Sequence, residues 1–433
     1  MNLLFANDRR EAYPPSWYAD TVEHLPKFDM LKGAARADVC IVGAGYTGLS
    51  AALSLALAGR KVIVLEAQRV GFGASGRNGG QLGSGQRVEQ PKLEQMLGRD
   101  TARHLWTLGE EAKTHVKGLI ADNNIACHLK PGVAWAAESA AATDELHRYV
   151  AHMAQHYSYD IETFDSAGFD EICPSPAYHG GVLDMGAAHL HPLAFALGLA
   201  RAARNAGSTI CEGSAVHDIQ NGSKITVRTG AGHVEADHLI LACNGYLGGL
   251  NRQVAARVMP INNFIAATEP LGDDAVRVLN RDIAVSDDRF VVNYFRLSHD
   301  KRLLFGGGES YGYKFPKDIS AVVRKPMTEI FPHLKDIRID SAWGGTLAIT
   351  MKRLPYLARI APNVLSASGY SGHGVGTATH AGHLMARAIE GQTDGFDAMA
   401  AIPSTPFPGG PALRNPLLAL AMTWYALRDR LGV

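Results

Sequence analysis

The sequence is poor in cysteine, has no excess of either charge and contains no long apolar run. Its cysteines are odd in number and form no C-x-x-C pair; they are Cys40, Cys127, Cys173, Cys211 and Cys243. This pattern argues against a disulfide framework or a zinc site, and it is typical of a protein in the reducing cytoplasm. The 42 basic side chains balance the 42 acidic ones, so the charge favours neither nucleic acid nor an acidic membrane as a partner.

No apolar run approaches the roughly 18 residues that suggest a membrane-spanning helix. The opening residues, MNLLFANDRREAY, lack the basic and then apolar order of a signal peptide. We therefore expect a cytoplasmic protein without a transmembrane segment. Its 433 residues predict two or three domains, and the Pro-rich residues 1–35 predict an irregular arm on the surface.

Residues 37–67 carry the most informative pattern, ADVCIVGAGYTGLSAALSLALAGRKVIVLEA. An apolar run leads into G-x-G-x-x-G, a helical stretch follows, and a second apolar run ends at Glu66. This order predicts a βαβ unit that binds a dinucleotide. A βαβ crossover without a ligand is the alternative.

The residues of this motif suit that ligand. Gly43 allows a tight turn, Gly45 lets a pyrophosphate approach the backbone, and Gly48 lets the helix pack against the strand. The helix N-terminus offers free N–H groups to the phosphates. Glu66 can accept both ribose hydroxyls and would repel a 2′-phosphate, so FAD or NAD is favoured over NADP.

A second glycine-rich stretch, residues 71–85, interleaves Arg77, Asn78 and Gln81 with seven glycines. So many glycines exclude a helix or a strand interior. A flexible linker is the plain interpretation, but linkers are mostly Gly/Ser runs. The mixed composition favours a loop that passes close to a large flat ligand.

Further elements follow from periodicity and breakers. We predict helical segments at 92–123, 138–156 and 192–205, a β-meander at 216–230 and a hairpin formed by 290–297 and 302–305. Residues 364–390 repeat the order of strand, glycine loop and helix, and the helix is expected from about 378 to 390. Two such loops in one chain indicate two contacts on one elongated cofactor.

At this point the chain resembles the FAD-dependent oxidoreductases of the D-amino-acid-oxidase superfamily. The resemblance rests on VGAGYTGLSAALSLALAG with VLEA, VGFGASGRNGGQ, HPLAFALGLA, NYFRLSHDKRLLFGGG, GYSGHGVGTATHAG and the ending PFPGG…YALRDRLGV. The second, fourth and sixth of these segments are most similar to members that act on gamma-glutamylputrescine.

The resemblance implies an α/β fold (α+β overall), with a Rossmann-like FAD-binding domain interleaved with an antiparallel-sheet substrate domain. The FAD-binding domain would comprise residues 1–90, 172–250 and 356–433, and the substrate domain residues 91–171 and 251–355. The residues expected to contact FAD are Gly43, Gly45, Tyr46, Thr47, Gly48, Glu66, Ala67, Gly73, Ala74, Ser75, Arg77, Asn78, Gly79, Gly80, Gln81, Val216, Ala242, Gly372, His373, Gly374, Val375, Gly376 and Thr377.

The implied reaction is oxidative deamination of a primary amine, most simply gamma-glutamylputrescine, by hydride transfer to flavin N5, with release of ammonia and hydrogen peroxide. The amine must arrive neutral, which desolvation favours. The alternatives are a flavin enzyme for a D- or N-methyl amino acid that passes electrons to a quinone or another carrier, an NAD-dependent dehydrogenase, and a flavoprotein that only binds. The exact amine, the electron acceptor and homo-oligomer formation stay open.

Four side chains are candidates for the catalytic site. His373 would contact flavin or substrate, or only shape its loop. Arg296 would clamp a substrate carboxylate beside Tyr294 in the channel wall, or would be a solvent-facing arginine. Lys352 would assist the reaction with oxygen. Trp343 is a weaker candidate for the pocket, since a core tryptophan fits better.

The sequence also bears on covalent attachment of the flavin, on metal binding and on the C-terminal segment. Some superfamily members bind FAD covalently through a Cys in the C-terminal half or a His in the second glycine loop, and neither is present here. We therefore expect non-covalent FAD.

His189 and His191 could form a metal pair, but helix entry before Pro192 fits better, and no metal site is predicted. The leucines and aromatics of 416–431 predict an amphipathic helix.

Overall fold

A computed structural model of the chain describes residues 3–289, 291–310, 312 and 314–408. It contains two sheets with helices packed around them. The described helices are α1 (Trp17–Asp20), α2 (Tyr46–Leu57), α3 (Gln90–Leu97), α4 (Arg99–Asp122), α5 (Ala140–Tyr157), α6 (Ser166–Asp170), α7 (Pro192–Asn205), α8 (Arg252–Arg257), α9 (Ile319–Ile330), α10 (Gly374–Ile389) and α11 (Asp394–Ala400). The described strands are β1 (Gly33–Val42), β2 (Val62–Leu65), β3 (Gln81–Leu82), β4 (Lys130–Ala137), β5 (Glu162–Phe164), β6 (Gly180–His189), β7 (Thr209–Cys211), β8 (Val216–Gln220), β9 (Ile225–Thr229), β10 (Gly232–Leu241), β11 (Met259–Pro270), β12 (Ala284–Asp287), β13 (Tyr294–Leu297), β14 (Arg302–Ser310), β15 (Ile339–Ile349), β16 (Tyr356–Ala361) and β17 (Val364–Ser368).

The first sheet has the order β16–β17–β10–β1–β2–β7, with β9 and β8 attached beside β10. Its central strands β17, β10, β1, β2 and β7 run parallel. Val39 and Ile41 of β1 face one apolar core, while Cys40 and Val42 face another. A parallel strand covered on both faces needs apolar side chains at every position, and this explains the unbroken apolar runs on either side of α2.

The second sheet has the order β15–β11–β14–β13–β12–β4–β6–β3, with β5 attached to β6. Its neighbours are antiparallel except β12 and β4, which run parallel. The predicted hairpin is β13 and β14, although β13 begins only at Tyr294. Phe295 and Phe305 stack at 5.6 Å between ring centroids in the core of this sheet.

The mixed α/β architecture with two sheets confirms the predicted fold class. One predicted boundary differs from the strand pairing, because β6 at 180–189 belongs to the second sheet although the sequence assigned 172–250 to the other unit. The reason is that β6 pairs antiparallel with β4, a long-range partnership that local pattern cannot reveal. Strand β3 also places part of the second glycine stretch in this sheet.

Two helix predictions also need correction. The helical stretch 92–123 is split into α3 and α4 at Gly98, which has a left-handed φ of 83°. Helix α10 starts at Gly374, before the predicted position 378, so the glycine loop itself supplies the first turn. Helix α7 begins at Pro192 and ends at Asn205, where the sequence placed it.

The sequence predicted an irregular surface arm over residues 1–35. This prediction is wrong for residues 16–19, which are buried, whereas residues 20–30 are largely exposed. Trp17 and Tyr18 of α1 are buried, and the Tyr18 ring lies 5.0 Å from the ring of Trp343. The Trp17 indole donates to Asp300 at 3.4 Å, and Asn7 accepts from the Phe315 N–H at 2.8 Å. Because this segment is rich in proline and polar residues, its sequence gave no sign that it fills a gap between the sheets. The predicted C-terminal helix at 416–431 lies outside the described residues.

Candidate functional site

A cavity of about 710 Å³ runs between the two sheets and takes its walls from both. Its volume is in the usual range of ligand and cofactor sites. Of the residues expected to contact the cofactor, the following line it: Gly43, Gly45, Tyr46, Thr47, Glu66, Ala67, Gly73, Ala74, Ser75, Arg77, Asn78, Gly79, Gln81, Val216, Ala242, Gly372, His373, Gly374 and Val375. The other four, Gly48, Gly80, Gly376 and Thr377, are not among its lining residues.

The first glycine turn joins β1 to α2. Gly43 has a φ of 106°, and a Cβ there would lie 2.7 Å from the Ala242 carbonyl oxygen. A Cβ on Gly45 would lie 2.7 Å from the Ser75 hydroxyl, and one on Gly48 would lie 1.9 Å from the Gly43 carbonyl oxygen. Side chains are therefore excluded where the N-terminus of α2 meets the cavity. The Tyr46 N–H donates to the Ser75 hydroxyl at 3.0 Å, and the positive dipole end of the helix stays open to an anion.

Glu66 lies where β2 ends, at the wall of the cavity. Its carboxylate accepts the Ala44 N–H at 2.8 Å and the Gln68 N–H at 2.9 Å. Burial raises its pKa to about 7, although these backbone hydrogen bonds act in the opposite direction. The carboxylate is thus held in one orientation beside the glycine turn, where a ribose can be recognised.

The second glycine loop is braced by its own side chains. The Asn78 amide donates to the Ala74 and Ser75 carbonyls at 3.0 Å and accepts the Gly80 N–H at 2.8 Å. The buried Arg77 pairs with Asp8 at 2.9 Å. It also donates to the carbonyl oxygens of Phe72 and Gly344. Gln81 is tied to β12 through Val285 and Ser286. The polar residues interleaved with glycine therefore fix the path of this loop.

The third glycine loop ends at the N-terminus of α10, whose first N–H groups have no partner within the helix. The His373 imidazole contacts the Gly85 carbonyl oxygen through Nε2 at 3.2 Å and packs on Gly83. Burial, followed by the positive charge of Arg87, lowers the pKa of His373 to about 4. The imidazole is therefore neutral at ordinary pH.

Tyr294 on β13 forms the roof above the second glycine loop. A Cβ on Gly79 would lie 2.6 Å from its ring, and its hydroxyl donates to Asn263 at 2.5 Å. Arg296 follows on the same strand but is not among the cavity-lining residues. It is buried, donates to the Gly79 carbonyl oxygen at 3.0 Å and faces the Tyr18 ring.

Lys352 is exposed and does not line the cavity, whereas its neighbour Arg353 does. Trp343 is buried, and its indole N–H donates to the Arg77 carbonyl oxygen at 3.1 Å, so the core interpretation of this tryptophan fits. His191 caps α7 by accepting the Ala194 N–H at 3.2 Å. Among the described residues, no group of His, Cys, Asp and Glu is arranged to hold a metal ion.

The cavity has further charged and aromatic lining residues that the sequence did not single out. They are Arg87, Glu89, Trp106, Trp135, Tyr149, Asn263, Asp287, Asp288, Arg289, Glu309 and Arg353. They come from both helices and strands spread along most of the chain, so no local motif unites them. Only Arg87 and Glu89 carried a local signal, since they closely follow the second glycine loop.

These features fit an elongated dinucleotide. Three glycine turns face one continuous cavity, two helix N-termini point to it, and a fixed carboxylate stands at its wall. Cys243 also lines it, but burial and the charge of Glu66 raise the pKa of this thiol to about 12, which keeps it protonated and unreactive. None of the described helices is both long and apolar enough to cross a membrane.

Comparisons with known proteins agree with this geometry. Residues 38–388 match the model of the DAO family, described as FAD dependent oxidoreductase. The chain is 42% identical over 417 residues to the probable oxidoreductase OrdL of Rhizobium meliloti, which covers 96% of this chain and 97% of that protein. It is 40% identical to the gamma-glutamylputrescine oxidoreductase of Escherichia coli, which covers 96% of this chain and 99% of that protein.

A similar fold occurs in the crystal structure of glycine oxidase from Geobacillus kaustophilus. The TM-score is 0.71 at 22% identity, with 84% of this chain and 97% of that chain covered. The resemblance inferred from the sequence motifs is confirmed by the family match. The chain belongs to the DAO family of FAD-dependent oxidoreductases.

Proposed function

We propose that this enzyme oxidatively deaminates a primary amine, gamma-glutamylputrescine, and holds FAD non-covalently. The observation that carries the proposal is the 40% identity to the Escherichia coli enzyme of that name over nearly the full length of both chains. The aromatic and acidic cavity walls support it, because a cationic amine is attracted by both. The thiol state of Cys243 and the absence of a histidine from residues 71–85 support non-covalent binding.

Bound FAD would supply the two-electron acceptor for the hydride that leaves the carbon next to the amine nitrogen. The resulting imine takes up water and splits into an aldehyde and ammonia. Oxygen would be the final acceptor of the two electrons and would leave as hydrogen peroxide. The tasks left to the chain are to orient the amine, to remove its proton and to exclude water.

Burial of the cavity walls favours removal of the proton from the amine. A primary amine has a pKa near ~10.4, as in lysine, and loss of water disfavours its charged form. Asp288 lines the cavity, and desolvation there raises the pKa of its carboxyl although the side chain stays accessible to solvent. It is therefore better suited to take up a proton than a fully solvated carboxylate would be.

Tyr294 and His373 line the cavity, where they would contact the reacting groups. The N-terminus of α10, beside His373, would stabilise negative charge that develops at the far end of the cofactor. Arg296 is a positioning residue, since it reaches the site only through the Gly79 carbonyl. A role of Lys352 in the oxygen reaction stays a prediction, which the reoxidation rate of Lys352→Met would test.

The scattered cysteines are all free in the structure, which supports our proposal of a cytoplasmic location. The domain division 1–90, 91–171, 172–250, 251–355 and 356–433 stays a proposal, with β6 as its clearest exception.

An anaerobic substrate panel tests the function. Gamma-glutamylputrescine, putrescine, sarcosine and D-alanine are each mixed with the yellow holoenzyme, and the visible flavin absorption is followed. We expect gamma-glutamylputrescine to bleach the flavin fastest, and re-aeration to yield equal amounts of ammonia and peroxide. Bleaching by sarcosine or D-alanine alone would favour an amino acid oxidoreductase instead. Bleaching by gamma-glutamylputrescine without peroxide on aeration would indicate another electron acceptor.

A further inference from the structure

Two arginines line the cavity without an acceptor for their charge. Arg87 lies between β3 and α3, and Arg353 lies between β15 and β16. Among the described residues, no oxygen accepts a hydrogen bond from either guanidinium and no carboxylate pairs with it. Desolvation, followed by the positive charge of Arg353, lowers the pKa of Arg87, and the charge of Glu89 acts in the opposite direction, so the two cations lie within electrostatic reach of each other. The Arg87 side chain is nevertheless open to solvent on the cavity side.

Another arginine of the cavity wall, Arg289, has acidic partners and provides a comparison. Arg289 pairs with Glu138 at 2.9 Å and also lies close to Asp287 and Glu329. Its charge is balanced inside the protein, whereas the charges of Arg87 and Arg353 repel each other. Two like charges on the wall of one cavity, neither of them in a salt bridge, favour a bound anion between them.

The backbone holds both arginines in place. Gln86 donates to the Leu105 carbonyl oxygen and Gln90 to the Ala102 carbonyl oxygen, both at 2.9 Å, so the segment around Arg87 is anchored on α4. Arg353 has a φ of 59°, a left-handed conformation that is uncommon outside glycine. Such strain is typical of functional positions.

We infer that Arg87 and Arg353 together bind the α-carboxylate of the glutamyl head of the substrate. This inference rests on the proposed function and names the substrate class of the same site. Arg87 closely follows Gly85, whose carbonyl oxygen contacts His373, so the pair belongs to the α10 end of the cavity and not to the glycine turn of α2. Glu89 lines the same wall, and its negative charge disfavours a phosphate but suits the α-ammonium of an amino acid zwitterion.

Steady-state kinetics of the holoenzyme test the inference with two substrates. Gamma-glutamylputrescine carries the head group, whereas N-acetylputrescine has the same amide and amine but no carboxylate. In Arg87→Ala and Arg353→Ala we expect the KM for gamma-glutamylputrescine to rise about 10- to 100-fold, since a charged hydrogen-bonded contact is lost. The KM for N-acetylputrescine and the FAD content stay the same. Arg87→Lys recovers part of the loss, because it keeps the charge without the fork.

A binding measurement separates this inference from the proposed function. Gamma-glutamylbutylamide keeps the glutamyl head group but lacks the terminal amine of the putrescine part. Its affinity for the holoenzyme is measured by calorimetry. Weaker binding in both variants supports the site, even if the wild type fails to oxidise gamma-glutamylputrescine. The inference is wrong if the wild type oxidises gamma-glutamylputrescine and both variants keep the wild-type KM for it. It is also wrong if the KM for N-acetylputrescine rises as much as the KM for gamma-glutamylputrescine. The exposed Arg252, outside the cavity lining, serves as the matched control through Arg252→Ala.

Discussion

Gly79 lies directly against the ring of Tyr294, so close that a Cβ at this position would be 2.6 Å from one ring carbon and 2.7 Å from another. The contact joins the second glycine loop to the roof of the second sheet. Tyr294 cannot easily yield, because its hydroxyl is bonded to Asn263. The missing side chain at position 79 thus sets the separation of the two units at the cavity.

Gly79→Ala should therefore destabilise the protein by about 1–3 kcal/mol, the usual range for overpacking, and lower its FAD content. Urea unfolding and the ratio of flavin to protein absorbance measure both effects. Gly118→Ala is the control, since no atom lies within 4 Å of a Cβ there and alanine is the better helix former. Equal stability of both variants would contradict the role of the Gly79 contact.

Glu66→Ala should weaken FAD binding about 10-fold or more, because the Ala44 and Gln68 N–H groups lose a charged acceptor and the ribose site is deformed. Glu66→Gln should lose less, since its amide oxygen still accepts one hydrogen bond. Titration of FAD into the deflavinated protein, followed by quenching of flavin fluorescence, gives the affinities. Wild-type affinity in Glu66→Ala would show that this carboxylate does not hold the cofactor.

Asp8→Ala should destabilise the protein by about 1–3 kcal/mol, because the guanidinium of Arg77 is buried and loses its carboxylate partner. Chemical unfolding of the variant measures the change. Lys27→Ala removes an exposed ion pair with Glu11 and should change stability by no more than about 0.5 kcal/mol. A loss at Lys27 as large as at Asp8 would mean that burial is not the cause.

Acid should destabilise the enzyme through the histidines between α4 and α10. The His115 ring lies 4.5 Å from that of His383 and 6.0 Å from that of His380. Burial, followed by the charges of these neighbours, lowers the pKa of His115 from 6.5 to about 3. The folded state then binds fewer protons than the unfolded state, so this stability is complete above pH 6.5 and is lost as the pH falls below it.

The loss from His115 should be on the order of 1 kcal/mol at pH 5 relative to pH 8. Urea unfolding across this range should show a shallower pH dependence in His115→Gln than in the wild type. The exposed His104 on the same helix is the control, and His104→Gln should keep the wild-type slope. An unchanged slope in His115→Gln would exclude His115 as the source.

Acid precipitation should release all the flavin into the supernatant, since the Cys243 thiol stays protonated and residues 71–85 contain no histidine. Absorbance of the supernatant and of the redissolved pellet measures the partition. Yellow colour that stays with the pellet would establish a covalent link.

Local pattern was sufficient for much of the fold. The βαβ unit, the His191–Pro192 helix start and the strand–loop–helix at 364–389 depend on neighbours in sequence, and the structure has all three. The glycine loops that line the cavity were predictable for the same reason, because glycine turns and helix N-termini are local features.

The substrate end of the cavity was not predictable in this way. Arg296 and Lys352 were chosen by alternation and charge, but the direction of a side chain depends on partners far along the chain. Arg296 is directed to Gly79, and the left-handed turn at Arg353 places that residue, not Lys352, at the cavity. The buried N-terminal segment was missed because its partners lie as far away as Asp300 and Phe315.

That segment has a consequence for biosynthesis. Residues 7 and 17 leave the ribosome well before their partners, which lie 308 and 283 positions further along the chain. Closing such long loops is slow, because the entropy of closure must be overcome before the contacts form. The aromatic pair Trp17 and Tyr18 must therefore stay unsatisfied during most of translation. A segment that is made long before its partners is thus among the last to dock in the folded protein.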